Sequence, residues 1–384
     1  MHTPPSRKIL PVQPSLEHLQ KQAKRRVKLQ PTLRLADAQL QLAREYGCRN
    51  WAELAHVVET MARGADQTVN VKKEVEPLPK AARARDFESV KRLLAEGQYT
   101  PHDLDLALGN VVCYGPPSTW EKRRTIADLL LDHGADPDGQ FGSAYGPIVF
   151  ATGECIQPEG LDYLIEAGAD VSFPPIQTKY GMQCPLSHIL GTYGRGENAR
   201  KHEYIDLLLK HGAVVPPEVT PPILAIHRGD VCMLGELLDC EPALLTRRFS
   251  DMPYGNMELR GATLLHCAVE FGEDECVEEL LRRGAGINLT ADIVDGIGGQ
   301  TPIFHAIATI SDGNFHALEY LVLRTGAAID LKVRATWRLF HAPQTIPMTP
   351  LEFAEHAASR ASEHGRQKAG EEISLLRSLA AMQP

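Results

Sequence analysis

Fifteen histidines and eight cysteines give this 384-residue chain ample material for chemistry, so their spacing decides what they can do. The cysteines stand at 48, 113, 155, 184, 232, 240, 267 and 276. No Cys-x-x-Cys occurs, which argues against a zinc ribbon or a redox dithiol. Several cysteines fall in apolar helical patterns, where a reduced thiol acts as a small hydrophobe. His266 could serve as a base or a ligand. It also lies one turn into a helix that Thr263 can cap, where its ring can bond the Thr263 hydroxyl or a neighbouring segment's backbone. His133 and His211 precede glycine at helix C-termini, where a cation suits the helix dipole. His188 and His305 are expected on a groove-facing or solvent surface. Asp292 and Asp295 lie among glycines, but the twelve-residue spacing and terminal glutamate of a calcium loop are missing. Gly298-Gly299 precedes a helix, which is weak support for phosphate binding. No Gly-x-Ser-x-Gly, P-loop, Gly-x-Gly-x-x-Gly or His-Glu-x-x-His is present. The expectation is a non-enzyme with no cofactor and no metal.

Residue types that bind rather than react are more informative. The segment 246–260 carries Arg247, Arg248, Phe249, Tyr254, Met257 and Arg260. The segment 331–348 carries Arg334, Trp337, Arg338, Phe340 and His341. Aromatics beside arginine dominate binding energy at protein interfaces. Packing of these rings on their own loops is the competing reading. Tyr254, Arg260, Trp337, Arg338 and Phe340 are the expected partner contacts. A third feature is the basic run Lys21-Gln-Ala-Lys-Arg-Arg-Val-Lys28. Residues 1–64 hold eleven Lys/Arg against five Asp/Glu, which leaves about −15 on the rest of a chain of net charge −9. The run reads as a solvated helix face, as a face docked on the acidic remainder, or as a nucleic-acid contact. Residues 36–58 also resemble helix-turn-helix spacing, with Ala43 and Gly47 four apart. Glu53 and Glu59 would repel phosphates there, and Trp51 has the look of a core anchor.

The elements that must position these residues show best in Gly261 to Asn288. Thr263-Leu-Leu-His266-Cys-Ala268 opens a helix, Gly272-Glu-Asp274 turns the chain, and Val277 to Arg283 forms a second helix that ends at Gly284. Leu265 and Ala268 share a face of the first helix. Val277, Leu280 and Leu281 line the inward stripe of the second. Gly272 and Gly284 fall where a left-handed residue ends a helix most easily. Such a hairpin needs copies stacked on both sides. Copies follow the same plan. Thr-Pro-x-x-x-Ala recurs at 220, 301 and 349, and Gly-Ala follows a second helix at 134, 168, 212, 284 and 326. Glycine spacings of 37 and 34, and of 72 over two copies, support one period; those of 44 and 42 imply insertions that must loop out.

Thr-x-Leu-His-x-Ala, then Gly, then Leu-Leu and Gly-Ala, resembles the ankyrin-repeat family over roughly 76–382. The resemblance implies an all-α solenoid of stacked helix pairs with finger-like loops along one edge. It also implies a protein partner, bound along that edge and the concave groove. Only His266 holds the motif histidine; Val149, Ser187, Ile223, Phe304 and Glu352 replace it. The segment 43–54, with Ala-Arg-Glu-Tyr-Gly and Asn-Trp-Ala-Glu-Leu, is similar to the helical leader of some bacterial ankyrin proteins.

The expected organisation is a disordered tail at 1–14, a helical segment at 15–64, a linker at 65–75 and about eight repeats at 76–382. No run of about 18 apolar residues is present, so no membrane span is expected. Met1 to Pro14 lacks an apolar signal core, which suggests a cytoplasmic protein, expected as a monomer. Nucleic-acid or regulatory contact through the basic N-terminal helices is the alternative function.

Overall fold

Caps and apolar periodicity set the elements seen in the computed structural model. It describes residues 16–58 (less 31, 47, 53 and 56), 77–141, 147–178, 181–308 (less 195, 251 and 253–258), 320–321, 329–343 (less 337, 340 and 341), 346–360 and 363–382. The expected tail and linker lie outside these residues, as do Tyr254, Trp337 and Phe340. The chain forms two compact units, Met1–Pro185 with His211–Ala213, and Leu186–Lys210 with Val214–Pro384.

The first unit opens with α1 (Leu16–Leu29) and α2 (Leu35–Glu45), followed by helical residues between 51 and 58. These close around Leu19, Ala23, Ala38, Leu42, Ala43, Cys48, Leu54 and Val58, with Trp51 against them as a core anchor. Three helix pairs come next: α3 (Pro77–Ala84) with α4 (Phe87–Glu96), α5 (Pro101–Cys113) with α6 (Trp120–Asp132), and α7 (Ile148–Glu154) with α8 (Pro158–Glu166). The first helices pack in series, α3 on α5 and α5 on α7. Leu78, Leu104, Leu108, Ile126, Ile148 and Leu164 belong to one shared core, as expected of modules that cannot bury their own apolar faces. Local caps start the helices. The Asp86 carboxylate accepts the Ser89 N–H at 3.1 Å, and Thr100 and Asp103 exchange bonds as a capping box. A short hairpin of β1 (Ile176–Thr178) and β2 (Gly181–Gln183) ends the unit.

The second unit holds α9 (Pro185–Leu190), α10 (Asn198–Lys210), α11 (Pro221–His227), α12 (Val231–Cys240), α13 (Leu264–Phe271), α14 (Asp274–Arg282), α15 (Pro302–Ala308), α16 (Pro350–Arg360) and α17 (Glu363–Met382). Here α11, α13, α15 and α16 pack in series. The last helix spans 20 residues.

Three of the Gly-Ala pairs share one geometry. Gly134, Gly168 and Gly284 take φ of 109°, 99° and 91°. The following alanine N–H then reaches back five residues, Ala135 to Leu130 at 3.0 Å, Ala169 to Leu164 at 2.9 Å and Ala285 to Leu280 at 2.9 Å. That ties off carbonyls a helix end would otherwise leave open.

Two expectations are corrected. The insertion after α9 does not loop out: the Tyr193 ring stacks on Phe271 at 5.5 Å and its hydroxyl bonds Glu270. His188 and His305 are buried rather than surface groups, and His305 Nδ1 meets Glu270 Oε2 at 2.7 Å. None of the cysteines forms a disulfide; five are buried, Cys155 is half-buried, and Cys232 and Cys240 are exposed.

Candidate functional site

The loops of the second unit are built from backbone pairing at their bases. Before α13, the Phe249 N–H donates to the Ala262 carbonyl at 3.0 Å, and the Gly261 N–H donates to the Phe249 carbonyl at 2.6 Å. This closes the base of the connection between 249 and 262, and Phe249 is buried there. The Asp292 N–H then donates to the Gly261 carbonyl at 3.0 Å, which joins the next loop to it. That loop continues the lacing, because Gly298 and Thr336 exchange bonds at 2.7 and 3.1 Å. Ala335 and Met348 exchange bonds at 3.0 Å and close the last finger, where β3 (Arg338–Leu339) pairs with β4 (Ala342–Pro343). Three consecutive loops thus share a hydrogen-bonded base. Side chains add to it. Arg248 donates to the Thr290 carbonyl at 3.0 and 2.8 Å and pairs with Asp292 at 3.2 Å. Arg334 donates to the Pro347 carbonyl at 2.7 Å and pairs with Glu352 at 3.0 Å.

Gly298 has a structural job here. Its φ is 130°, and a Cβ would overlap the Asp292 carbonyl oxygen. Close approach within its own loop accounts for Gly298 without a phosphate.

Arg260 is half-buried at the end of the first finger, and the Arg338 backbone lies in β3, opposite Pro343. The loop between them links their bases. Tyr254, Trp337 and Phe340 lie outside the described residues. Sequence reasoning missed Ile293 and Ile346, 69% and 64% exposed on the loops of this same edge. Their signal was an isoleucine within a loop, where solvation alone does not call for one.

The second unit also holds a buried polar spine. His266 Nδ1 accepts the Thr263 N–H at 3.1 Å and the Thr263 hydroxyl at 2.8 Å, while Nε2–H donates to the Gln300 carbonyl at 3.0 Å. Only the neutral ring can make all three bonds, and burial, then His305, pulls its pKa down to about 3. At the last repeat Glu352 does the same capping work: it accepts the Thr349 N–H at 2.8 Å and its own N–H meets the Thr349 hydroxyl at 3.3 Å. Next to His266, Glu270 bridges Tyr193 and His305. One turn on, Glu273 meets His202 Nε2 at 2.9 Å. The Lys201 ammonium is fully buried 4.5 Å over the Phe271 ring. Burial lowers its pKa to about 8, although Glu273 opposes the shift.

Cys267 and His227 are the nearest approach to a nucleophile and base, with Sγ 3.9 Å from Nε2. Burial raises the thiol and lowers the imidazole. Both shifts disfavour a thiolate–imidazolium pair, so this contact is packing. Among the described residues no group of three or more His, Cys, Asp or Glu is arranged to hold a metal. None of their helices is long and apolar enough to cross a membrane.

Paired helices stacked in series, with laced fingers on one edge, define a helical repeat protein. Residues 223–333 match the family model for ankyrin repeats in three copies, so this stretch of the chain is built of ankyrin repeats. The chain is similar to the human ASB11 ankyrin repeat domain, with 18% identity, a TM-score of 0.37, and coverage of 65% of this chain and 98% of that one. It is also similar to the ankyrin repeat domain of Bcl-3, a member of the IkappaB protein family, with 17% identity, a TM-score of 0.30, and coverage of 80% and 100%. No curated protein matches the sequence. Ankyrin repeats are in general modules that bind other proteins.

Proposed function

We propose that this protein is a non-enzymatic scaffold that binds a partner protein through the finger edge and adjoining groove of its repeats. The supporting observation is the shared hydrogen-bonded base of the three loops from 249 to 348, which ties the loops together where they leave the helices. A common base lets residues far apart in sequence act on one partner with little ordering cost. The contacts we assign are Tyr254, Arg260, Trp337, Arg338 and Phe340, with Ile293 and Ile346 as apolar neighbours. The protein acts as a cytoplasmic monomer and needs no cofactor.

The test is affinity capture from native cells with wild type and with a Tyr254→Ala/Arg260→Ala/Trp337→Ala variant that melts normally. Partners captured by wild type and lost by the variant support the reading. Full retention of every wild-type partner removes these residues from the contact.

A further inference from the structure

The first unit contains two separate apolar interiors. One belongs to the N-terminal helices, around Leu19, Ala23, Leu42 and Leu54. The other belongs to the repeats, from Leu78 to Ala167. Neither core includes a residue of the other. Polar groups join them. Lys21 Nζ lies 3.0 Å from Asp138 and 3.8 Å from Asp136, and His18 Nδ1 lies 3.7 Å from Asp136. Lys28 Nζ donates to the Ile165 carbonyl at 3.4 Å, at the end of α8.

The acidic side of this contact is rigid. Asp105 Oδ1 accepts the Asp136 N–H at 2.8 Å, Asp136 Oδ1 accepts the Asp138 N–H at 3.0 Å, and Asp138 Oδ1 accepts the Asp170 N–H at 2.8 Å. Each carboxylate uses one oxygen to hold the next backbone amide. The other oxygen of Asp136 and of Asp138 faces α1 and meets the Lys21 ammonium. These rungs are therefore held ready whether or not α1 is seated.

We propose that the rungs Asp136 and Asp138 form a receptor for a lysine-bearing amphipathic helix, and that α1 is its displaceable occupant within the chain. A basic helix of a partner protein competes with α1 for the same carboxylates. Partly exposed ion pairs contribute little and weaken with salt, whereas an apolar interface would not. The helical segment keeps its own core when it leaves, so release does not require it to unfold. This surface lies apart from the fingers in sequence and stands or falls independently of their assignment.

The experiment uses the full chain with Cys232→Ser and Cys240→Ser, labelled for energy transfer at Lys24→Cys on α1 and Lys122→Cys on α6. All four positions are exposed. Transfer is expected to fall on going to about 1 M salt, where charges are screened beyond a few ångströms. Lys21→Asp should lower it at low salt, and the swap Lys21→Asp/Asp138→Lys should restore it. A peptide of residues 16–29 added in trans, as the competing helix, should lower transfer in the otherwise wild-type chain. Transfer unmoved by salt overturns the latch, and needs no variant beyond the labelled chain. A charge swap that restores nothing overturns the assignment of the rungs. Transfer that falls in salt but resists the peptide overturns the receptor.

Discussion

Acid should weaken the second unit through one ring, His266. In the unfolded chain an imidazole titrates near about 6.5. In the fold burial, and then His305, hold the same ring at about 3, and protonation would also place a proton on the nitrogen that accepts both Thr263 bonds. Between those values the unfolded chain binds more protons, so stability rises with pH through the window. The contribution is complete above about pH 6.5 and is lost as pH falls toward about 3. One such group is worth about 1.4 kcal/mol per pH unit, so about 2 kcal/mol is gone at about pH 5. His227 is also held well below its ordinary value, by burial and then by Lys201, and adds in the same direction. A comparison with His266→Gln cancels it. The assay is urea unfolding followed by circular dichroism near pH 8 and near pH 5. At pH 8 the variant should be less stable by about 1–3 kcal/mol, since buried groups on Thr263 and Gln300 lose partners. At pH 5 the deficit should shrink by about 2 kcal/mol, because only wild type carries the titrating ring. An equal deficit at both values would refute the argument that a neutral His266 is required.

Asp105 should behave in the opposite sense. Burial raises its pKa to about 7, against the Asp136 N–H that opposes the shift. The fold therefore binds the extra proton, and stability is lost as pH rises through about 4 to 7. Asp105→Asn keeps an acceptor for the Asp136 amide and should gain about 1–3 kcal/mol near pH 8, with little gain near pH 4, read from urea midpoints. Gly284→Val should cost about 1–3 kcal/mol through its left-handed backbone alone, since nothing lies within 4 Å of the added Cβ; an unchanged melting temperature would count against that lock. Glu352→Ala should lose about 1 kcal/mol in the same measurement, as an exposed cap does, and a loss above about 3 would point to a further role.

The helix pairs were legible because each carries its own punctuation. Thr263, Asp86, Thr100 and Thr349 start helices, and Gly134, Gly168 and Gly284 end them. Local chemistry of that kind needs no knowledge of neighbours. The polar spine was not legible, since Tyr193 meets Glu270 across 77 residues of sequence. A tyrosine in an apparent insertion looks like loop composition until its partner is known. His305 misled for the same reason: its slot in the repeat suggests a surface, and Glu270 makes burial tolerable. The N-terminal basic run left three readings open because charge alone does not name its counterion. Lys21, Arg26 and Lys28 find Asp138, Glu45 and the Ile165 carbonyl within their own chain. Of the five contact residues expected on the fingers, Arg260 and Arg338 lie on two loops whose bases connect.

The tie from each alanine back across its left-handed glycine also governs how such a chain can change length. After that stop the backbone always leaves in the same direction, whatever number of residues comes next. An insertion placed directly beyond it lengthens a connection that starts from the same tied-off helix end. Reach on the binding side can thus be varied independently of the framework that carries it.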